Sequence, residues 1–221
     1  MGYILPEIYQ SICQENNREL PGIFVETGTF KGGIPHRMLE TYGTLDPFEK
    51  IYTIEISEDI CKVASRRYKL FEKYQGDASK FNPHIDEKDE LFDSTGEYFD
   101  GKLILINDDS VKGLKQLLPL INEPVCFWLD AHGGALRYSR GEVDCPLLEE
   151  LNVIENHHIK NHIIAIDDAH MFGKIHAEKG EVVCDYTKIT YDKVKQLLWK
   201  INPNYDIGMY EPYNMKMVLA L

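Results

Sequence analysis

Two segments hold the residues best suited to chemistry: Phe127-Trp-Leu-Asp-Ala-His132 and Ile164-Ala-Ile-Asp-Asp-Ala-His170. Each is an apolar run of strand length that ends in aspartate, with a histidine two residues further on. Ligands of a parallel α/β sheet bind beyond the carboxyl ends of its strands, so Asp130, Asp167 and Asp168 are expected to converge there. Three carboxylates at one point repel unless a cation neutralises them, and a hard divalent ion such as Mg²⁺ takes oxygen ligands of this kind. An isolated aspartate at a strand end more often caps the following helix; the repetition of the pattern is what favours a metal. His132 and His170 are then candidates for a general base, a substrate contact or a partner of a ligand. Asp130 cannot easily serve as both ligand and base, which favours His132 as the base. Zinc is the weaker reading: His158 and His162 are suitably spaced, but they lie at a helix end and a strand entry with no thiolate pair nearby.

The second feature is Phe24-Val-Glu-Thr-Gly-Thr-Phe-Lys-Gly-Gly33, which runs from strand into helix. Gly28 permits a tight turn, and Gly32 or Gly33 lets the helix begin close to a ligand, with its first N–H groups facing that ligand. Glu26, Thr27, Gly28, Thr29 and Gly33 are thus the candidate contacts of a nucleotide-type cofactor. Phe30 stands where G-x-G-x-x-G has its second glycine, the one that lets a pyrophosphate approach the backbone. A cofactor without phosphates is therefore preferred to a dinucleotide. No G-x-x-x-x-G-K-[ST] loop is present. Glu55 ends the next strand, where a carboxylate accepts both ribose hydroxyls.

These residues need a sheet to carry them. Apolar runs at 23–25, 51–56, 103–106, 125–129 and 162–166 alternate with segments of helical period at 34–42, 58–71, 111–121, 147–154 and 194–201. Pro146 suits a helix's first turn. Continuous apolar strands alternating with helices predict a doubly wound, Rossmann-like α/β sheet, parallel and covered on both faces. Strand-like residues 205–210 and 215–221 are too close for a parallel crossover and predict an antiparallel C-terminal hairpin. The polar, acidic residues 72–101 read as an insertion or mobile surface loop within a single domain spanning 1–221.

Composition sets the limits. The chain has 221 residues, 43% of them hydrophobic and 27% charged, and a formal net charge of −12. Such a charge argues against a nucleic-acid partner, which requires a basic face. Five cysteines without a CxxC, no signal peptide and no apolar stretch of membrane-spanning length predict a cytoplasmic protein with reduced thiols and no membrane association. The sequence leaves homo-oligomer formation open.

The turn, Glu55 and the C-terminal hairpin resemble class I S-adenosylmethionine-dependent methyltransferases over most of residues 20–221. That resemblance implies that Glu26 and Gly28 lie against the methionine part, that Glu55 holds the ribose, and that a further acidic residue lies near adenine. Asp109, with Ser110, is preferred for that role because it follows the strand 103–106; Asp77, in Gly76-Asp77-Ala78, has the usual triplet but a poor strand before it. The segments 127–134, Gly141, 144–151 and 166–170 are similar to the macrocin O-methyltransferase and cephalosporin-hydroxylase type of family. In its sugar-modifying members three aspartates hold Mg²⁺, which chelates vicinal hydroxyls. The match falls on Asp130, Asp167 and Asp168. The resemblance implies an acceptor that is a glycan or other small molecule. Independently of it, Arg137 and Arg140, on one loop of an acidic chain, are candidates to meet a phosphate or carboxylate of the acceptor, as in a nucleotide-linked sugar, and Phe30, Tyr138 and Phe172 are candidates for a sugar pocket, though such aromatics more often serve packing. A hydroxylase-associated homologue and a non-catalytic cofactor-binding homologue are the competing readings, with an NAD-dependent oxidoreductase as an outsider.

Overall fold

A computed structural model describes residues 6–39, 47–73, 93–133, 141, 143–178, 181–211 and 217–221. Eight strands form one sheet in the order β3-β4-β2-β1-β5-β6-β10-β9. In chain order these are β1 (Ile23–Thr27), β2 (Lys50–Glu55), β3 (Gly96–Tyr98), β4 (Leu103–Asn107), β5 (Val125–Leu129), β6 (Ile163–Ile166), β9 (Ile207–Tyr210) and β10 (Met217–Ala220). β4, β2, β1, β5 and β6 run parallel. β10 pairs antiparallel with both β6 and β9, so the C-terminal hairpin inserts its second strand into the sheet. The expected mostly parallel sheet with an antiparallel C-terminal pair is what the chain builds.

Side chains alternate across the strands into two cores. Phe24, Ile51, Leu103, Leu105, Cys126 and Trp128 face one side, with α1 (Pro6–Glu15), α2 (Gly33–Leu39) and α3 (Glu58–Lys73) over them. Val25, Ile54, Phe127, Leu129, Ile164 and Ile166 face the other, beneath α4 (Ser110–Leu117), α5 (Leu147–Glu155) and α6 (Tyr191–Ile201). Burying both faces requires strands that are apolar at every position, which is why they lack alternation.

Three features were not anticipated. Ile8, Tyr9, Ile12 and Cys13 give α1 one buried face, and the Tyr9 hydroxyl donates to the Phe127 carbonyl at 3.0 Å. Within the segment expected to be a loop, β3 pairs antiparallel with β4, and Tyr98 donates to Ser65 Oγ at 2.7 Å; residues 74–92 lie outside the described set. A two-stranded hairpin, β7 (Ile175–Glu178) and β8 (Glu181–Asp185), stands between β6 and α6. Among the described residues no helix is long and apolar enough to cross a membrane.

Candidate functional site

The sheet reverses its winding at β1. From β1 the chain steps to β2 and β4 on one side, then returns to place β5 on the other. A crevice opens at such a point beyond the strand ends. Here it is a cleft whose lining includes Gly28, Glu55, Ile56, Asp109, Ser110 and His132.

The turn after β1 is fitted to its neighbours. Gly28 has φ +83°, and a Cβ there would lie 2.5 Å from the Asp130 carbonyl oxygen. Gly32 has φ +71°, and a Cβ there would lie 2.7 Å from the Tyr68 hydroxyl. Between them Phe30 adopts φ +49°, the left-handed conformation that the missing glycine would supply freely. The N–H groups of the turn itself, ahead of the helix that begins at Gly33, are mostly engaged within the protein. Gly28 and Thr29 donate to the Ile54 carbonyl, Phe30 to Glu55 Oε2 at 2.9 Å, and Gly32 to the Thr29 carbonyl. This turn has few donors left for a phosphate.

Glu26 is 1% exposed and accepts from Thr53 Oγ1 at 2.5 Å, while Thr53 also bonds Thr29 Oγ1. Burial pushes the Glu26 carboxyl well above the usual range, with Asp130 and Glu55 adding to the rise against the Thr53 hydrogen bond. Glu26 and Thr29 thus brace the turn from below, and Thr27 is buried behind it. Gly33 begins α2. Glu55 reaches the cleft, yet both oxygens already take backbone N–H groups, Oε2 from Phe30 and Oε1 from Ser57, each at 2.9 Å. Its pKa is raised by burial, and these bonds oppose the rise. A carboxylate has about four acceptor positions, so room for a ribose hydroxyl remains. Asn107 secures the same strand end by donating to the Glu55 and Ile56 carbonyls at 2.9 and 3.1 Å.

Asp109 divides its work. Oδ1 caps α4 by accepting from the Lys112 N–H at 3.1 Å, while Oδ2 points toward Gly141 at the cleft. Helix capping and the cleft position are both realised. Asp77, Arg137, Tyr138 and Arg140 lie outside the described residues.

At the other side of the cleft, donor atoms of Asp130, His132 and Asp168 all lie within 4.8 Å of one another. His132 Nε2 is 3.3 Å from Asp130 Oδ1 and 3.1 Å from Asp168 Oδ2. His132 Nδ1 lies 3.0 Å from the Gly133 carbonyl, which can only accept, so Nδ1 carries the proton. In the neutral ring the Nε2 lone pair would then face two carboxylates. A second proton or a cation must occupy that point. Burial disfavours the imidazolium, but hydrogen bonds to Asp130 and Asp168 outweigh it and hold His132 well above the usual histidine range. A ring that donates one nitrogen to a carbonyl and offers the other to an ion is the usual arrangement of a ligating histidine.

Of the three aspartates expected to converge, Asp130 and Asp168 come together with His132, while Asp167 Oδ1 accepts the Asp168 N–H at 2.7 Å and stands outside that group. Burial and the nearby Asp130 charge push Asp167 up to about 7. Burial also raises Asp130, against the pull of His132. For Asp168 burial acts upward, but His132 and His170 bring the carboxyl below its ordinary value. Asp168 has φ +52°, an unusual conformation at a functional position that aspartate tolerates better than most. His170 Nδ1 stands 3.7 Å from Asp168 Oδ1, and its side chain is 51% exposed. Tyr186, just beyond β8, was missed: its hydroxyl lies 3.4 Å from Asp168 Oδ2 and its ring packs beside His132. No spacing in the sequence pointed to it.

Solved structures show the same architecture. An O-methyltransferase from Bacillus cereus, in complex with SAH, matches with a TM-score of 0.55 and 11% identity, covering 98% of this chain and 80% of that one. A SAH-bound methyltransferase from Podospora anserina matches at 0.52 and 15%, covering 97% and 76%. The O-methyltransferase TomG from Streptomyces achromogenes, in complex with SAM, matches at 0.51 and 11%, covering 98% and 78%. These likenesses show that this chain shares its fold with those methyltransferases. No family model matches the sequence, and no curated protein does either.

Proposed function

We propose that this chain is an S-adenosylmethionine-dependent O-methyltransferase. Its acceptor is a hydroxyl beside a second hydroxyl on a sugar, a glycan or a related small molecule. Asp130, His132 and Asp168 hold a divalent cation. The observation that carries this reading is the place of His132, which lines the cleft shared by Gly28, Glu55 and Asp109 and also belongs to the converging donor group. Cofactor and cation would meet at one residue.

The cleft's charge fits the cofactor. Glu55, Asp109 and Asp144 line it, and no lysine or arginine does so among the described residues. Such a lining attracts a sulfonium and repels a pyrophosphate. Ile56 on one side and Val143 and Pro146 on the other offer apolar surface to an adenine ring. The donor set of two carboxylates and one imidazole fits Mn²⁺ at least as well as Mg²⁺, which prefers oxygen throughout.

When bound, S-adenosylmethionine supplies the electrophilic methyl group. A divalent cation supplies Lewis acidity that lowers the pKa of an acceptor hydroxyl. The chain does the rest. Glu55 orients the ribose, and the contact of Gly28 with Asp130 fixes the separation between donor and acceptor, on which near-attack geometry depends. Both nitrogens of His132 are engaged, so the role of base passes to His170, whose ring is exposed and held toward Asp168. A nucleotide-linked sugar remains the acceptor that Arg137 and Arg140 favour, and a cytoplasmic location the one the thiols favour.

Isothermal titration with S-adenosylhomocysteine tests the cofactor, and binding is expected. Methyl transfer to vicinal diols should stop in EDTA and return with Mn²⁺ or Mg²⁺. Asp168→Asn should lower transfer by about 100-fold or more, beyond the usual loss of an outer-shell partner, with cofactor affinity little changed. A folded sample that ignores S-adenosylhomocysteine sinks the reading; activity that survives chelation removes the cation alone.

A further inference from the structure

The β7–β8 hairpin stands outside the main sheet, yet it delivers one side chain to the converging donor group. Tyr186 follows β8, and its backbone is fixed on both sides. Its N–H donates to the Lys174 carbonyl at 2.9 Å, and its carbonyl accepts the Gly173 and Ile189 N–H groups at 3.1 and 2.9 Å. Asp185 Oδ1 closes the turn just beyond, accepting the Thr187 N–H and hydroxyl at 2.8 and 2.6 Å. The hairpin is also held beside His132. Cys184 Sγ donates to the Asp144 carbonyl at 3.4 Å, and that carbonyl accepts the Gly133 N–H at 2.7 Å. A Cβ on Gly133 would lie 3.1 Å from the Val183 carbonyl oxygen, so β8 passes close against the residue after His132. Anchored in this way and only 2% exposed, the Tyr186 ring has little freedom to turn elsewhere.

The ring makes two contacts with the donor group. Its centroid lies 5.9 Å from that of His132, and its hydroxyl donates to Asp168 Oδ2 at 3.4 Å. A buried tyrosine hydroxyl usually finds a partner, and here the partner is a donor carboxylate. The bond is longer than the usual O–H···O distance, so its energy is small; what it contributes is direction. Asp168 needs that, because its φ of +52° is a conformation that persists where the surroundings over-determine it. Its N–H donates to Asp167 Oδ1 at 2.7 Å and its carbonyl accepts the Met171 N–H at 2.8 Å, which hold the main chain. Its carboxylate meets His132, itself a member of the donor group, and His170, half exposed and 3.7 Å away. Tyr186 differs from both. It is buried, comes from a separately anchored element and is not one of the converging donors. A carboxylate has about four acceptor positions, so a phenol on one side of Asp168 leaves others for an ion.

We propose that Tyr186 is a positioning residue for cation binding: its hydroxyl holds Asp168 and its ring walls His132, so that the β7–β8 hairpin sets the geometry in which Asp130, His132 and Asp168 take a divalent ion. Tyr186 acts through these neighbours and is not itself a ligand.

The role rests on the cation proposed above, and the experiment separates the two. Mn²⁺ binding to wild type and Tyr186→Phe is measured by electron paramagnetic resonance, with no methyl donor present. Titration with S-adenosylhomocysteine and thermal unfolding of the ion-free chains run alongside. Tyr186→Phe keeps the ring and loses the hydroxyl. It should bind Mn²⁺ about tenfold more weakly, at the lower end of the range for groups that orient a ligand because the bond is long. Its affinity for S-adenosylhomocysteine and its unfolding temperature should stay as in wild type. Equal Mn²⁺ affinity in the two chains overturns the positioning role and leaves the cation reading standing. A parallel loss of S-adenosylhomocysteine affinity or of unfolding temperature shows a general loosening of the fold and overturns it too. Wild type that takes up no Mn²⁺ removes the cation reading, and the positioning role with it. A crystal structure of the wild-type chain soaked in Mn²⁺ decides the contact without any variant: the Tyr186 hydroxyl within hydrogen-bond distance of a metal-bound Asp168 supports the role, and a hydroxyl turned away from Asp168 overturns it.

Discussion

Acidification from pH 7 to 5 is expected to cost the fold about 2 kcal/mol at one residue, His162. His162 is fully buried at the entry to β6, and its Nδ1 accepts the Val125 N–H at 3.1 Å. Its proton is therefore on Nε2, which donates to His157 Nδ1 at 3.1 Å, and His157 Nε2 donates to the Ile121 carbonyl at 2.9 Å. A further proton would have to enter on a nitrogen that already accepts. Burial, then the neighbouring His157, pushes His162 down to about 3, and burial lowers His157 as well. An unfolded histidine takes its proton near pH 6.5, while the folded one stays neutral. The contribution is complete above that value and falls by about 1.4 kcal/mol per pH unit below it, until the folded ring titrates. Glu150 and Asp167, both raised to about 7, act in the opposite direction, because the folded state takes up their protons first as the pH falls. The overall profile hides the histidine, so the measurement is a difference. Urea denaturation of wild type and His162→Asn at pH 7 and pH 5 provides it, since asparagine keeps an acceptor for Val125 and does not titrate. Wild type should lose about 2 kcal/mol relative to the variant. Parallel losses would show that His162 titrates in the fold as it does unfolded, and the reasoning would be wrong.

Phe30 should reverse the ordinary preference between alanine and glycine. At φ +49° an L residue carries about 1–2 kcal/mol of strain, so Phe30→Gly should be about 1 kcal/mol more stable than Phe30→Ala in thermal or urea unfolding. Gly28→Ala should lower stability by more than that strain, because its Cβ would meet backbone atoms of Asp130 at 2.5 and 2.8 Å; an unchanged melting temperature would show that the two strand ends are not in contact.

The sheet was legible because its strands bury both faces: runs such as 125–129 are apolar at every position, and the C-terminal pair had too short a link to run parallel. The short elements were not. β3 has three residues, fewer than any periodicity needs, and β7–β8 rise outside the main sheet, with Ile175 and Val182 exposed. The site was legible as residue types but not as pairings. Asp130 and Asp168 emerged from the repeated Asp-Ala-His pattern. Whether Asp167 or His132 completed the group depended on which way the chain turned at Asp168, and that turn is a left-handed residue no pattern marks. Glu55 was correctly placed at a strand end, but its bond to Phe30 depends on a turn that closes back across β2. Tyr186 reaches the site from an element distant in sequence, so only tertiary packing reveals it.

Gly28 rests against the Asp130 backbone so closely that no side-chain atom fits between them. Two binding events that tighten one contact are thermodynamically linked, and reciprocity follows: whatever factor the cation adds to cofactor affinity, the cofactor must add to cation affinity. On the proposed function, the space left by one missing methyl group is thus the place where the loading of one half would be felt by the other, equally in both directions.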